Sequence, residues 1–579
     1  MLSTYTYPKF EARRAPELDG ASPAQYPLVI VGAGPVGLAC AIDCAQRGLP
    51  VLLLDDDDTV SIGSRGLCYA KRTLEVLDRL GCGDAVVQRG VTWNTGRTFH
   101  RDTEVFSFEL LPEAGHERPG MVNLQQYHLE EALVRRAQAL PGIDLRWKSR
   151  VTALAVAADH VLIEVDSAHG KYTLRAGWVV AADGARSPLR RMLGLDVEGQ
   201  VFRDRFLIAD VVMKAQLFPA GAAERWFWFD PPFHPGQSVL LHREADDVWR
   251  IDFQLGWDAD PELEKQPERV KPRIRAMLEA RMAMATGETA AVPEFELEWV
   301  SVYTFQCRRM PQLRQGRVLF AGDAAHQVSP FGARGANSGI QDADNLAWKL
   351  ALVIGGQAPV ALLDSYAAER GSAADDNLLN STRATDFITP KSQVSHDFRD
   401  AVLGLAREHA FARMLVNSGR LSVPTALLDS PLNTSDGEHF DTPLAPGMPL
   451  PDAPVRVAGR PAWLLRELGR GFELLLFADQ AGDVDAPTRA ALRALDQGPL
   501  AVRTLLVVAQ PPQPGASPEG LTVLHDHEGL AARRCGALPG TALLLRPDQH
   551  LAARWRDLRP AAVRSALARA TCNLHGSTT

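Results

Sequence analysis

No two cysteines in this chain stand at Cys-x-x-Cys spacing, and seven cysteines occur in 579 residues. That excludes a disulfide framework and a zinc ribbon and points to a reducing cytoplasm. No apolar run approaches the roughly 20 residues that span a bilayer, so no membrane partner is expected. The opening stretch MLSTYTYPKFEARRAPELDG has no apolar h-region, and no signal peptide is expected. A basic block is also missing. Lys and Arg number 62 against 70 Asp and Glu, a net charge of −8, which argues against nucleic acid as a partner.

What is present is an ordinary globular composition, 46% hydrophobic and 23% charged, long enough for several domains. Residues 1–24 read as a polar tail. Leu28–Asp58, LVIVGAGPVGLACAIDCAQRGLPVLLLDDDD, then reads as strand (Val29–Val31), helix (Gly37–Arg47) and strand (Val51–Leu54). Gly32-Ala33-Gly34-Pro35-Val36-Gly37 sits on its first turn. Gly32 permits the tight turn, Gly34 clears space where a pyrophosphate approaches backbone, and Gly37 lets helix and strand pack closely. The helix N-terminus faces the phosphate charge. Asp55 follows the second strand, where its carboxylate accepts from ribose hydroxyls. Asp56–Asp58 read as a solvated turn, since a metal would need further convergent ligands.

Two later stretches repeat the pattern of a strand ending in a carboxylate. Trp178–Arg190, WVVAADGARSPLR, carries Asp183. Arg317–Leu350, RVLFAGDAAHQVSPFGARGANSGIQDADNLAWKL, carries Gly322-Asp323 and a loop of small residues, Pro330–Ser338, that opens a helix. The loop allows backbone N–H groups to approach a ring system, and the helix end stabilises negative charge there. Between them, residues 201–299 alternate as antiparallel strands, as in ERWFWFD and DVWRIDFQL. Residues 396–440 read as a helical linker, and 441–579 as a separate small α/β domain. Cys40 and Cys44 read as small buried hydrophobes, His525-Asp526-His527 as a solvated loop, and His326 as unassigned. No metal site is expected.

GAGPVG, ADGARSPLR and AGDAAHQVSPFGARGANSGIQDADNLAWKL together resemble the signatures of the single-component FAD-dependent aromatic hydroxylases, the group A flavoprotein monooxygenases. The wider chain is similar to 3-(3-hydroxyphenyl)propionate hydroxylases and phenol-hydroxylase-like members. The resemblance implies an α/β fold: a Rossmann-like FAD-binding domain of the para-hydroxybenzoate-hydroxylase type (25–200 and 300–395), an antiparallel substrate sheet (201–299), and a C-terminal thioredoxin-like domain without CxxC. It implies that Gly32, Gly34, Pro35, Val36, Gly37 and Asp55 hold the ADP half of FAD. Arg65 and Gln126 would contact the cofactor, with Gln125 as an alternative register. Asp183 would serve both FAD and NAD(P)H, Gly322 and Asp323 the ribitol, and Pro330, Gly332, Gly335, Ala336 and Asn337 the ring. Relatives often carry Glu-Arg where this chain has Asp55-Asp56, so a departure is expected at the adenosine end.

No second GxGxxG unit follows, so NADH or NADPH is expected to bind transiently. The resemblance implies hydroxylation of a phenolic ring by dioxygen through a flavin C4a-hydroperoxide, in a homodimer. Trp228, Arg250, Asp252 and Gln306 are the candidate substrate residues, and no catalytic base is assigned. The alternatives are a flavin oxygenase that tailors a polyketide or other large aromatic, or acts as a Baeyer–Villiger-type enzyme, and a flavin-binding interaction or sensor protein.

Overall fold

The computed structural model describes residues 3–20, 22–286, 291–416, 421–512 and 520–573. Its first sheet has Ala24–Val31 between Val51–Leu54 and Gly170–Ala181, all parallel. Ile143–Arg146 extends it on one side and Val318–Phe320 on the other, also parallel. Val51–Leu54 and Val318–Phe320 are buried throughout. Continuous apolar runs of this kind suit a sheet covered on both faces. The register pairs Val31 with Leu54 and Ala181, and Ala181 with Phe320. Four strands therefore end at one level, and the residues just beyond them (Gly32, Asp55, Asp183 and Asp323) gather along one edge, the usual ligand edge of a parallel sheet. The helix Pro35–Gln46 packs on Gly335–Ile354, which brings the two small-residue loops together.

The second sheet is mostly antiparallel. Its order is Thr103–Glu109, Thr95–His100, Arg225–Phe229, Ser238–Arg243, Val248–Leu255, Glu198–Val212, Glu296–Arg309, His326–Gln327. It reaches beyond residues 201–299: the Thr95–Glu109 hairpin comes from the first half of the chain, and the two longest strands cross both expected boundaries. One face packs on the helix Pro267–Thr286 through Trp226, Leu241, Ile251, Val270 and Ile274. Continuous helices at Leu362–Ile388 and Gln393–Ala406 follow.

The C-terminal unit has its own seven-stranded sheet. Thr522–His525, Val502–Val508 and Phe472–Ala478 are parallel, and the hairpin Ala542–Leu545/Leu551–Trp555 runs antiparallel beside them. Cys535 is buried there, and burial pushes its thiol up to about 12, away from the thiolate form that reacts. A buried ion cluster joins this unit to the first. Arg546 holds Glu369 (2.5 Å) and Asp548 (2.5 Å), and Lys349 holds Glu369 from the other side (2.6 Å).

The N-terminal segment is laid along the molecule. Both oxygens of Glu298 accept from the backbone of Ser3 and Thr4 (2.8 Å each). Tyr5 stacks on Tyr127 and Phe10 on Trp147. The Tyr7 hydroxyl accepts the N–H of Gly63 (2.8 Å), two residues before Arg65.

Candidate functional site

One cavity of about 430 Å³ runs from the glycine turn to the second sheet. At its first end the glycines have separate jobs. A Cβ on Gly32 would lie 2.4 Å from the Ala182 carbonyl oxygen, and φ there is +104°. One on Gly37 would lie 1.9 Å from the Gly32 carbonyl oxygen. One on Gly34 meets nothing within 4 Å, so the space before the helix N-terminus is open. Pro35 opens that helix and lacks the N–H that would point into this space. Pro35 and Val36 both line the cavity.

The aspartate run separates Asp55 from its more exposed neighbours. Asp55 Oδ2 accepts the Ala33 N–H (2.5 Å) and Oδ1 the Asp57 N–H (2.8 Å), so the carboxylate braces the glycine turn. Each oxygen keeps a lone pair for a ribose hydroxyl. Burial raises its pKa against those two bonds. Exposed Asp56 lies 3.4 Å from Arg150, an arginine from another strand, and Asp58 pairs with Lys9 (2.6 Å) and Lys148 (3.3 Å).

Along the cavity the other expected cofactor residues appear in turn. Arg65 is exposed into it. Gln126 lines it, accepts the Gly66 N–H (2.8 Å) and donates to Glu130 (2.7 Å). Gln125 is buried and donates instead to Ala245 O, away from the cavity. Asp183 does not line the cavity, although its neighbours Ala182 and Gly184 do; it accepts the Leu189 N–H (2.9 Å), and its Oδ1 is buried without a partner. The Asp323 carboxylate is open to the cavity; surrounding protein raises its pKa, against His326 and Arg65. Pro330, Gly332, Gly335 and Ala336 line the next stretch. Gly332 has φ +102°, a conformation that favours glycine. Asn337 does not line the cavity. Its side chain accepts from Ala70 N (2.8 Å) and donates to Cys68 O (2.8 Å), tying the loop to a neighbouring strand. An open phosphate cradle at a helix end, a carboxylate in the cavity and a backbone loop without bulk fit a flavin dinucleotide.

The far wall is one face of the second sheet, and its register decides which side chains reach it. Phe227 pairs with Leu240, Leu240 with Asp252, and Asp252 with Ile208. The neighbouring row sets Arg225 beside His242, His242 opposite Arg250 and Arg250 opposite Asp210. Phe206, Leu240, Tyr303, Phe305 and Phe331 supply flat apolar surface between these rows and the flavin loop.

Two expected substrate residues are thereby corrected. Trp228 is 1% exposed and belongs to the opposite face, packed with Phe99 and Trp226. Alternation predicts its face relative to Phe227, but only the register with Asp252 says which face meets the cavity. Gln306 also points away, since Tyr303 and Phe305 hold the cavity side of its strand. Arg250 lines the cavity, but its guanidinium is taken: it donates to both oxygens of Asp210 (2.7 and 2.8 Å) and to Ser64 O (2.6 Å), and lies 3.1 Å from Glu244. It is a strut.

Arg225 and His242 also line this end, and sequence reasoning missed both. Their signal was present, as polar residues in phase with Phe227 and Leu240, but it needs the strand pairing to be read. Burial pulls the Arg225 guanidinium down to about 10, still charged at neutral pH, and holds His242 well below the usual imidazole range, helped by both arginines. Burial raises the Asp252 carboxyl to about 7, with Arg250 opposing.

Residues 25–381 match the profile of the family described as FAD binding domain. The chain is 33% identical to the 6-methylpretetramide 4-monooxygenase of Streptomyces rimosus, over 93% of this chain and 91% of the relative. It is 30% identical to a 3-(3-hydroxy-phenyl)propionate/3-hydroxycinnamic acid hydroxylase of Mycolicibacterium smegmatis, over 66% of this chain and 65% of that one. Among solved structures, the flavin-dependent monooxygenase PieE, in complex with FAD and substrate, superposes with a TM-score of 0.76 at 22% identity, covering 96% of this chain and all of the other.

Proposed function

This chain belongs to the FAD-binding family of FAD-dependent monooxygenases, and from that premise we propose that it hydroxylates a phenolic ring of an extended, polycyclic aromatic of the polyketide type. The observation that carries the reading is the single cavity that joins the dinucleotide end to an aromatic-lined wall ending in Arg225, His242 and Asp252. When bound, FAD supplies the redox chemistry that carries electrons from NAD(P)H to dioxygen and delivers one oxygen atom to the ring.

The side chains do the rest. The Gly34 cradle and the helix beginning at Pro35 receive the pyrophosphate. Asp55 and Asp323 would accept from the ribose and ribitol hydroxyls, and Arg65 and Gln126 would contact the cofactor from the cavity wall. The loop Pro330–Ala336 leaves room for backbone to approach the isoalloxazine. Phe206, Tyr303, Phe305 and Phe331 exclude water and orient the substrate ring. The polar end fixes the substrate's oxygens. Dioxygen and NAD(P)H belong to this proposal as co-substrates, and homodimerisation as the assembly.

The polycyclic class is supported by similarity through 93% of the chain to the Streptomyces enzyme named for 6-methylpretetramide. A single-ring phenolic acid is the second reading, favoured by the hydroxyphenylpropionate hydroxylase relative. A panel holding both classes tests them. NAD(P)H consumption is followed together with product mass, and the expected result is a gain of one oxygen on a polycyclic phenol. Turnover confined to single-ring acids selects the second reading. No oxygenated product from any member overturns both.

A further inference from the structure

The charged groups at the substrate end divide into those that hold one another and those that do not. Arg250 and Asp210 form a closed pair whose charges cancel. The Arg225 guanidinium, 6% exposed, makes no hydrogen bond or ion pair among the described residues; it lies 5.6 Å from the centre of the Phe227 ring and feels the charge of Asp252 at longer range. Asp252 Oδ1 is buried without a partner. The register sets Asp252 opposite Leu240 and His242 opposite Arg250, so Asp252 lies one row from Arg225 on the same cavity face. The guanidinium and the carboxylate oxygen both lack a hydrogen-bond partner, and both residues line one cavity. Each such group costs free energy unless something completes it.

We propose that Arg225 and Asp252 act together on a ring hydroxyl of the substrate, Asp252 taking its proton and Arg225 holding the oxygen anion left behind. The proposal rests on the aromatic-hydroxylase reading above. The O–H bond of the substrate breaks and its electron pair stays on the substrate oxygen. A new O–H bond forms on the Asp252 carboxylate. Total charge is unchanged: the negative charge moves from Asp252 to the substrate, opposite the Arg225 guanidinium. An ionised ring oxygen pushes electron density into the ring and makes it the better nucleophile towards the incoming oxygen atom. The proton returns to the product oxygen on release, which resets the pair.

The neighbours on every side favour Asp252 as the base. His242 is held neutral by burial and two arginines, so it is a weak base. Glu244, just beyond the strand Ser238–Arg243, is pushed well up by burial, with Arg250 opposing at 3.1 Å. Cys68, on a strand of a separate three-stranded sheet, is pushed up to about 12. Arg250 and Asp210 are consumed by each other. Asp252, at about 7, is the group whose affinity for a proton lies near working pH, where a general base is most effective.

The holoenzyme is titrated with two chromophoric phenols, anhydrotetracycline and 4-nitrophenol, whose ionised forms absorb at longer wavelength. Bound probe in the wild type is expected to ionise about one to three pH units below free probe, the shift a nearby opposite charge produces. Arg225→Met is expected to abolish that shift and Arg225→Lys to keep part of it. Asp252→Asn is expected to lower product formed per NAD(P)H roughly 100-fold and to remove the limb of the rate profile near neutral pH, with Asp252→Glu restoring part. FAD content and thermal unfolding at wild-type values identify folded variants. If products form, and bound-probe ionisation and rate profile are unchanged in Arg225→Met and Asp252→Asn, the pair is overturned and the hydroxylase reading stands. If neither probe binds and no phenol yields product, the hydroxylase reading falls and the pair with it.

Discussion

Nε2 of His326 lies 2.6 Å from Oδ2 of Asp342, and both side chains are buried beneath the turn that presents Asp323. The same Oδ2 accepts the Gly322 N–H at 2.9 Å, and Oδ1 accepts from Arg370 at 2.6 Å. The carboxylate is thus a hub, held down to about 2 despite its burial by His326 and Arg370. Its folded value lies below its ordinary one, so it stabilises the protein at neutral pH, and that contribution fades as pH falls from about 4 towards 2. Asp342→Asn should lower stability by about 3 kcal/mol and flatten the acid limb of unfolding followed by circular dichroism. An unchanged acid limb would remove Asp342 from this role.

Asp323→Ala should yield a folded protein that purifies with less flavin. Losing hydrogen bonds to a charged acceptor costs about 1.5–3 kcal/mol, or roughly tenfold to a hundredfold in FAD affinity. Absorbance of the bound flavin measures it directly, and full retention of yellow colour would sink the site map.

Gly34→Ala and Gly37→Ala should fail differently. The first puts a methyl into open space, so the apoprotein should melt as wild type while FAD affinity drops by a factor of ten or more. The second drives Cβ into the Gly32 carbonyl and should lower the melting temperature of the apoprotein itself. Equal loss of stability in both would contradict the division of labour.

Arg546→Met should strip Glu369 and Asp548 of their shared partner in a buried cluster. Breaking such a pair from one side costs about 3–5 kcal/mol. Denaturant unfolding should show a matching loss, relieved in part by Glu369→Gln in the same chain.

Trp228→Phe should reduce stability by about 1–2 kcal/mol through lost packing and leave KM for the aromatic substrate unchanged. A change in KM would return Trp228 to the cavity wall.

The dinucleotide half was legible in the sequence because it is local. Gly32, Gly34 and Gly37 lie within one turn, and Asp55, Asp183 and Asp323 each follow a buried strand whose parallel pairing aligns their ends. The substrate wall was only half legible. Alternation separates Trp228 from Phe227 and Arg250 from Trp249 within one strand. It does not say whether Phe227 or Trp228 shares a face with Asp252, because that depends on pairing through Leu240. Choosing Trp228 with Asp252 mixed two faces, and missing that register also hid Arg225 and His242. Arg250 was found for its position, but its charge is spent on Asp210, a partner forty residues away in sequence.

The strap formed by Ser3, Thr4, Tyr5, Tyr7 and Phe10 has a practical consequence. A recombinant gene trimmed to start at Ala24, where the first strand begins, would delete the phenol that braces Gly63 and the rings that cover Tyr127 and Trp147. The segment leading to Arg65 would lose that support from outside. Such a shortened protein would fold around the same sheets and yet grip its yellow cofactor less firmly, so that it would leave a purification column paler than the full chain.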